Sequence, residues 1–290
     1  MSRKAIKLGL AVSGIILFSI SACKNPRKSY KKTDSGLKYY FIHESPESKT
    51  GEVGDIYILN TEFRNMKDSV FLSLQTNFKR NVDYLEGGFP EGVSMLHKGD
   101  SASFIVNADT FYKDVGRKKP EALIGQNQLK INVGVVDILT PKEFNAMMLE
   151  KEQLEIDRFV ARKGWNVITD TASGIRYEIT TKNPEGQKIK FGDEVGITYF
   201  YYTLNEKPFA KIKDGDLMRV QVGDQSRIAG ISKALSFTRE GEFIRAILPY
   251  SQAFGEDGFG VHVPGYTTLV IELDVVTLES SASAAIELLN

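Results

Sequence analysis

The fold is decided by residues 239–276, which read REGEFIRAILPYSQAFGEDGFGVHVPGYTTLVIELDVV. Two segments of this stretch, residues 241–248 and 268–276, are rich in β-branched and aliphatic residues, a composition typical of β-strands. Between them lies a glycine-rich loop, residues 249–267, which contains Phe254 and Phe259. Loops of this length are uncommon in compact domains and are usually functional. The stretch therefore predicts two strands joined by a loop that carries a site.

The sequence before this stretch supplies the remaining elements of the same domain. Residues 193–202 and 216–222 alternate as strands do, and SGIRYEI at 173–179 predicts a first strand. Residues 230–237 break the alternation with an apolar stripe at helical spacing. One short helix among antiparallel strands predicts the α+β class.

The same landmarks recur earlier in the chain, which indicates an internal repeat. The paired glycines are Gly36 and Gly174, Gly54 and Gly192, and Gly99 and Gly241. The first two pairs are 138 positions apart and the third is 142 apart, so the order is kept with a small insertion. We therefore predict two tandem domains of the same fold, a first repeat at residues 36–140 and a second repeat at 168–279.

The segment between the repeats, residues 141–167, has the pattern of an amphipathic helix. Pro141 suits its first turn and Gly164 suits its end. Glu152 and Gln153 interrupt the apolar stripe. Two interpretations are open: a rigid connector packed on one or both domains, or a helix for dimerisation or client binding.

The beginning of the chain predicts export and a lipid anchor. Residues 2–7 are basic, residues 8–20 are apolar, and Ser21 and Ala22 precede Cys23, the single cysteine. This arrangement resembles a bacterial lipobox, which implies a signal peptide at 1–22 and acylation of Cys23; a plain signal peptide or an uncleaved anchor are the alternatives.

The segments on either side of the repeats complete the predicted organisation. Residues 23–35 are basic with little apolar content and predict a flexible tether, and 280–290 form a tail. With no acidic residue between Cys23 and Asp34, we expect the outer membrane and its periplasmic face.

The composition limits the functional classes. Lys and Arg total 37, as do Asp and Glu, so no basic excess predicts nucleic-acid binding. The three histidines are scattered, and no Ser-His-Asp spacing or phosphate loop is present. These absences are consistent with a site that uses no metal, no cofactor and no catalytic nucleophile.

The second repeat resembles the FKBP family of peptidyl-prolyl isomerases. The residues that carry the resemblance are SGIRYEI (173–179), Gly192-Asp193, VGDQSRIAGISKAL (222–235), REGEFIRAILP (239–249), AFGEDGFG (253–260) and VPGYTTLVIELDVV (263–276). The resemblance implies a bent antiparallel sheet around one short helix, with an apolar pocket that binds proline. It also implies rotation of the X-Pro bond without cofactor or metal.

The resemblance further implies which residues build the pocket. They are Tyr199, Phe209, Met218, Ile228, Ile231, Phe254, Phe259, Val263 and Ile271. Ile228 would offer its backbone N–H to a substrate carbonyl. Each of the nine has an alternative role as an ordinary core residue.

Three positions depart from the family pattern. Ala210 replaces an aspartate, Ile231 replaces a tryptophan on the pocket floor, and Phe254 replaces a tyrosine whose hydroxyl binds substrate. The last change removes a hydrogen bond of about 1 kcal/mol. An apolar pocket is compatible with all three changes.

The first repeat departs further. Asn60 stands near the expected position of an aromatic residue, Phe89 takes the floor position, and residues 117–119 (Arg-Lys-Lys) add charge to the pocket loop. We interpret this repeat as a degenerate FKBP-like domain without catalysis, suited to docking or client binding.

Two functions follow from these observations. The first is a peptidyl-prolyl isomerase and folding helper that acts on proline-containing exported polypeptides through the second repeat. The second is a non-catalytic lipoprotein subunit or binding module of an envelope assembly. The changes at Ala210 and Phe254 favour the second function, and the apolar pocket positions favour the first.

Overall fold

The computed structural model describes residues 29–81, 88–212, 215–224, 228–260 and 263–280. Residues 1–28, including Cys23 and the predicted signal peptide, lie outside the described residues, as does the tail after Ser280. No helix in the described part of the chain is both long enough and apolar enough to cross a bilayer.

The first repeat folds as a six-stranded antiparallel sheet with short helices. Its elements are β1 (Lys31–Lys32), β2 (Lys38–His43), β3 (Ile56–Arg64), β4 (Val70–Lys79), α1 (Gly88–Ser94), β5 (Ser101–Asn107), α2 (Ala108–Asp114), a 3₁₀ turn (Glu121–Leu123) and β6 (Gln128–Leu139). The strand order is β1-β2-β5-β6-β3-β4.

A long helix, α3 (Pro141–Lys163), follows β6 directly. Thr140 caps it: its side chain accepts a hydrogen bond from the Glu143 N–H, and the Glu143 carboxylate accepts one from the Thr140 N–H. Gly164 ends it in the left-handed conformation with φ of 64°. Pro141 and Gly164 thus stand at the start and end of the helix as predicted.

The second repeat folds in the same way. Its elements are β7 (Ile168–Thr169), β8 (Arg176–Thr181), β9 (Glu194–Thr203), β10 (Pro208–Lys211), β11 (Met218–Gln221), α4 (Ala229–Leu235), β12 (Phe243–Leu248), a 3₁₀ turn (Tyr250–Gln252) and β13 (Leu269–Glu279). The strand order is β10-β9-β13-β12-β8-β7, and β11 also pairs with β9.

The two strand orders are equivalent, with β10 and β11 together in the place of β4. Equivalent backbone bonds join Gly99 N–H to the Val135 carbonyl and Gly241 N–H to the Val275 carbonyl. The predicted fold class, two α+β units with antiparallel sheets around short helices, is confirmed. Strand β10 was not predicted, because it is only four residues long, starts at a proline and contains a register shift.

Each sheet packs its inner face on its own short helix. In the first unit Leu59, Phe104 and Ile131 are fully buried together with Val93 of α1. In the second unit Ile197 and Leu273 are fully buried with Leu235 of α4. Apolar side chains at alternate strand positions thus form one core per unit.

Helix α3 packs against both units. Ile156 and Phe159 are buried on the outer face of the second sheet, against Tyr202. Near the start of the helix, Phe144 is buried against Ile56 and Ile58 of the first sheet. These contacts with both units favour the rigid connector over a helix that awaits a partner, although Leu149 of the helix is 50% exposed.

Candidate functional site

Seven of the nine predicted pocket residues lie in the core cluster on the inner face of the second sheet. Ile228, Ile231 and Ile271 are buried members, and Tyr199, Phe209, Met218 and Phe254 pack against it half-buried. The other two, Phe259 and Val263, lie in the loop between β12 and β13. The Phe259 N–H donates to the Val263 carbonyl at 2.8 Å, and the Val263 N–H donates to the Phe259 carbonyl at 3.2 Å. The structure therefore brings together residues from β9, β10, β11, α4, β13 and the loop between β12 and β13.

Three phenylalanines form an aromatic row at the open side of this cluster. The Phe209 and Phe254 rings meet edge to face, with centroids 5.4 Å apart. Phe254 and Phe259 are stacked, with centroids 5.5 Å apart and an interplanar angle of 21°. All three side chains are half-buried, so part of each is exposed to solvent. This aromatic row (Phe209, Phe254 and Phe259) offers an apolar surface to a ligand.

Glycines bring the two arms of the loop close enough to hold the aromatic row. A Cβ added to Gly258, which has φ of 71°, would lie 2.2 Å from the Val263 carbonyl oxygen. A Cβ on Gly265 would lie 1.8 Å from the Glu256 carbonyl oxygen. Only glycine allows this close approach of backbone to backbone, which explains the glycine content of the loop.

The buried members of the site have a different role. Ile271 exposes no surface, Val263 exposes 3%, and Ile231 and Ile228 expose 7% and 9%. Ile271 is covered by other side chains, and Val263, although buried, also lines the cavity beside α3 described below. The pocket role of Ile271 stays a prediction. Ile228 stands directly before the first turn of α4, and its proposed contact with a substrate carbonyl stays a prediction.

Sequence reasoning missed Tyr201. It lies two residues after Tyr199 on the same face of β9, and the two rings are stacked with centroids 4.4 Å apart. Its hydroxyl is buried and makes no hydrogen bond with any described residue. Burial raises the pKa of this hydroxyl, and the neighbouring Tyr199 adds to the shift. The alternation along β9 would have placed Tyr201 beside the predicted site.

Replacing Tyr201 with phenylalanine is expected to raise the free energy of unfolding by about 1 kcal/mol, because an unpaired buried hydroxyl is removed. The matched control is Tyr202→Phe on the opposite face, where the hydroxyl donates to Glu272 at 2.8 Å. That change is expected to lower stability by about 1 kcal/mol. Urea unfolding followed by circular dichroism measures both. Equal destabilisation by the two changes would contradict the assignment.

The first unit contains an open cavity of about 990 Å³ at the equivalent place. Phe89 of α1 is one of its lining residues, with ring centroids 5.9 Å from Phe111 and 6.2 Å from Phe78. Arg117 lines the cavity, whereas Lys119 is held by Asp109 at 2.6 Å. Of the expected charges, only Arg117 is thus seen at the cavity wall.

The expectation for Asn60 was wrong. In the paired strands Leu59 lies opposite Val135, as Ile197 lies opposite Val275, so Thr61 occupies the place of Tyr199. Asn60 is exposed on the outer face of the sheet. A shift of one residue along a strand exchanges its faces, and the 138-residue offset of the first two glycine pairs would have assigned Thr61 to this place.

Comparison with known proteins places the candidate site in a matched segment. Residues 185–276 match the family model described as "FKBP-type peptidyl-prolyl cis-trans isomerase". A Haemophilus influenzae protein named "Probable FKBP-type peptidyl-prolyl cis-trans isomerase" is 31% identical over 125 residues, covering 42% of this chain and 50% of the relative. The match thus spans about half the length of this curated relative.

Two solved structures align with the chain. A peptidyl-prolyl cis-trans isomerase from Pseudomonas syringae pv. tomato aligns over 47% of this chain and 96% of that chain, with 21% identity and a TM-score of 0.40. The three FKBP domains of wheat FKBP73 align over 85% of this chain and 96% of the wheat chain, with 16% identity and a TM-score of 0.36.

Proposed function

We propose that the chain catalyses rotation about X-Pro bonds through a domain of the FKBP-type peptidyl-prolyl cis-trans isomerase family, because residues 185–276 match the model of that family. The observation that carries the proposal is the aromatic row, which lies within the matched segment and is partly open to solvent. The proposed ligand is a proline residue in a polypeptide, held against these rings.

The chemistry needs little beyond such a surface. Resonance gives the peptide bond a rotation barrier of about 18–20 kcal/mol, and X-Pro bonds isomerise in roughly 10–100 s without a catalyst. The twisted transition state has lost amide resonance and is less polar than the planar amide. An apolar, water-poor surface therefore stabilises the transition state relative to the ground state. Phe209, Phe254 and Phe259 supply this surface in the proposal.

A protease-free assay tests the proposal directly. The full chain is added to a peptide containing one X-Pro bond, and the approach to the cis/trans equilibrium is followed by fluorescence or NMR. We expect the rate to rise in proportion to protein concentration. A folded protein that leaves the rate at its uncatalysed value would contradict the proposal.

A non-catalytic binding module is the second candidate. It is favoured by the absence of a hydroxyl at Phe254 and by the large cavity around Phe89, which lies outside the matched segment. The two functions differ in one measurement, because a binding module retains proline peptides without accelerating their isomerisation.

We also propose that the chain acts at the cell envelope, anchored through acylated Cys23 to the periplasmic face of the outer membrane. The composition of residues 2–23 supports this location. Exported polypeptides are then the proposed clients. Metabolic labelling with palmitate is expected to mark the wild-type chain and not Cys23→Ser. Equal labelling of both would contradict the anchor.

A further inference from the structure

A second, smaller cavity of about 340 Å³ lies between α3 and the second unit. Phe209 and Val263 line it, and both also belong to the candidate site. Met148 and Glu152 line it from α3. The cavity is therefore next to the aromatic row, and one of its walls comes from the connector helix.

Glu152 is the unusual residue of this cavity. It exposes only 4% of its surface, although glutamate is seldom buried without a partner. Its Oε1 atom accepts hydrogen bonds from the Tyr250 N–H at 2.6 Å and from the Thr268 hydroxyl at 2.5 Å. Its Oε2 atom is buried and has no hydrogen-bond partner among the described residues. Oε1 thus holds both ends of the loop between β12 and β13, and Oε2 accepts no hydrogen bond from the described residues.

Holding the loop does not require a charged side chain. A glutamine at this position could accept both hydrogen bonds through its single carbonyl oxygen. A carboxylate carries in addition a charge and a second acceptor, and burial of both is unfavourable unless a donor is present. Burial raises the pKa of the Glu152 carboxyl, partly offset by the bonds from Thr268 and Tyr250. The free oxygen therefore calls for a ligand that donates to it.

The charged neighbours do not supply that donor. Lys151 also lines the cavity, but its Nζ atom lies 3.9 Å from Glu155 and its side chain is exposed. Lys207 lines the mouth of the cavity and is exposed, and no ion pair of the described residues joins it to Glu152. A cation that enters the cavity would be the first positive partner of the Glu152 carboxylate.

We propose that this cavity is a subsite for a basic side chain, arginine or lysine, that neighbours the proline of the bound polypeptide, and that the Glu152 carboxylate, whose Oε2 atom is buried in this conformation, turns toward the cavity to accept its hydrogen bond. The inference rests on the proposed function, which places the proline on the aromatic row. Successive residues of an extended chain are about 3.3–3.6 Å apart, so a neighbour of that proline reaches the cavity beside Phe209. Met148 offers an apolar wall to the methylene stem of such a side chain.

The test uses the full chain and a peptide series. The peptides contain one proline and carry arginine, glutamine or glutamate at each of the positions directly before and after it. Binding is measured by fluorescence anisotropy and isomerisation by NMR. We expect arginine at one of the two positions to improve binding about tenfold over glutamine, the effect of a charge-assisted hydrogen bond. Glutamate should bind more weakly than glutamine.

Two variants locate the effect. Glu152→Gln keeps the acceptor for Tyr250 and Thr268, so its thermal melting should stay close to wild type, and it is expected to remove the arginine preference. Glu155→Gln is the matched control, because Glu155 lies one turn further along α3 at the same cavity with a half-exposed side chain. The control is expected to keep the preference.

The outcomes separate this inference from the proposed function. If the chain isomerises the peptides without an arginine preference, the subsite is overturned and the proposed isomerase function stands. An arginine preference that persists in Glu152→Gln has the same consequence. A Glu152-dependent preference in binding without isomerisation supports the subsite and contradicts the isomerase. Failure to bind any peptide overturns both. If Glu152→Gln does not fold, the subsite is tested by the wild-type chain alone: it is supported if arginine peptides bind more tightly than glutamine peptides and glutamate peptides bind more weakly, and it is overturned otherwise.

Discussion

Replacing Phe254 with alanine is expected to lower kcat/KM for proline isomerisation by at least about tenfold. Phe254 contacts Phe209 on one side and Phe259 on the other, so the change opens the middle of the aromatic row. Full burial of such an apolar side chain is worth about 1.5–3 kcal/mol, and each 1.36 kcal/mol corresponds to a factor of ten in rate. The measurement is the protease-free assay with the full chain.

The control for this prediction is Phe191→Ala. Phe191 is 80% exposed and lies outside the core cluster of the candidate site, so its removal should leave the rate unchanged. An isomerase whose rate is unaffected by Phe254→Ala would show that the proline binds elsewhere, and the assignment of the aromatic row would be wrong.

Replacing Phe159 with alanine is expected to destabilise the second unit by about 3–5 kcal/mol, the range for deletion of a large aromatic side chain from a core. Phe159 is 1% exposed, and its ring lies 5.3 Å from Trp165 and 6.5 Å from Tyr202. Since whole domains are stable by only about 5–15 kcal/mol, this loss is large. It would loosen α3 from the sheet.

The chain contains its own probe for this experiment. Trp165 is the single tryptophan, so its fluorescence during urea unfolding reports on the α3 contact. Leu154→Ala is the control on the same helix, because Leu154 is 49% exposed, and its change should stay within about 1 kcal/mol. Similar midpoints for Phe159→Ala and wild type would contradict the proposed role of this contact.

Much of the fold was predictable because it depends on local pattern. The alternation over residues 268–276 and the repeated glycines predicted strands and tandem units, and backbone geometry at Pro141 and Gly164 fixed the two ends of the helix. These features are determined by residues close in sequence.

The rest depends on contacts between distant residues. Glu152 reads as an interruption of an apolar stripe, and only its contacts with Tyr250 and Thr268, about a hundred positions away, explain its burial. The cavity around Phe89 depends on how side chains from α1, α2 and β4 fill space, and no sequence pattern reports that.

One carboxylate oxygen of Glu152 holds both Tyr250 and Thr268, the two ends of the loop that carries Phe254 and Phe259. The cost of closing such a loop rises only slowly with its length. The ends are thus fastened to the helix as well as to each other through the paired strands β12 and β13, so residues outside the close glycine contacts can change without disturbing the strands. The sequence of the loop can therefore change during evolution, and with it the preference for particular polypeptides, while strands β12 and β13 keep their positions.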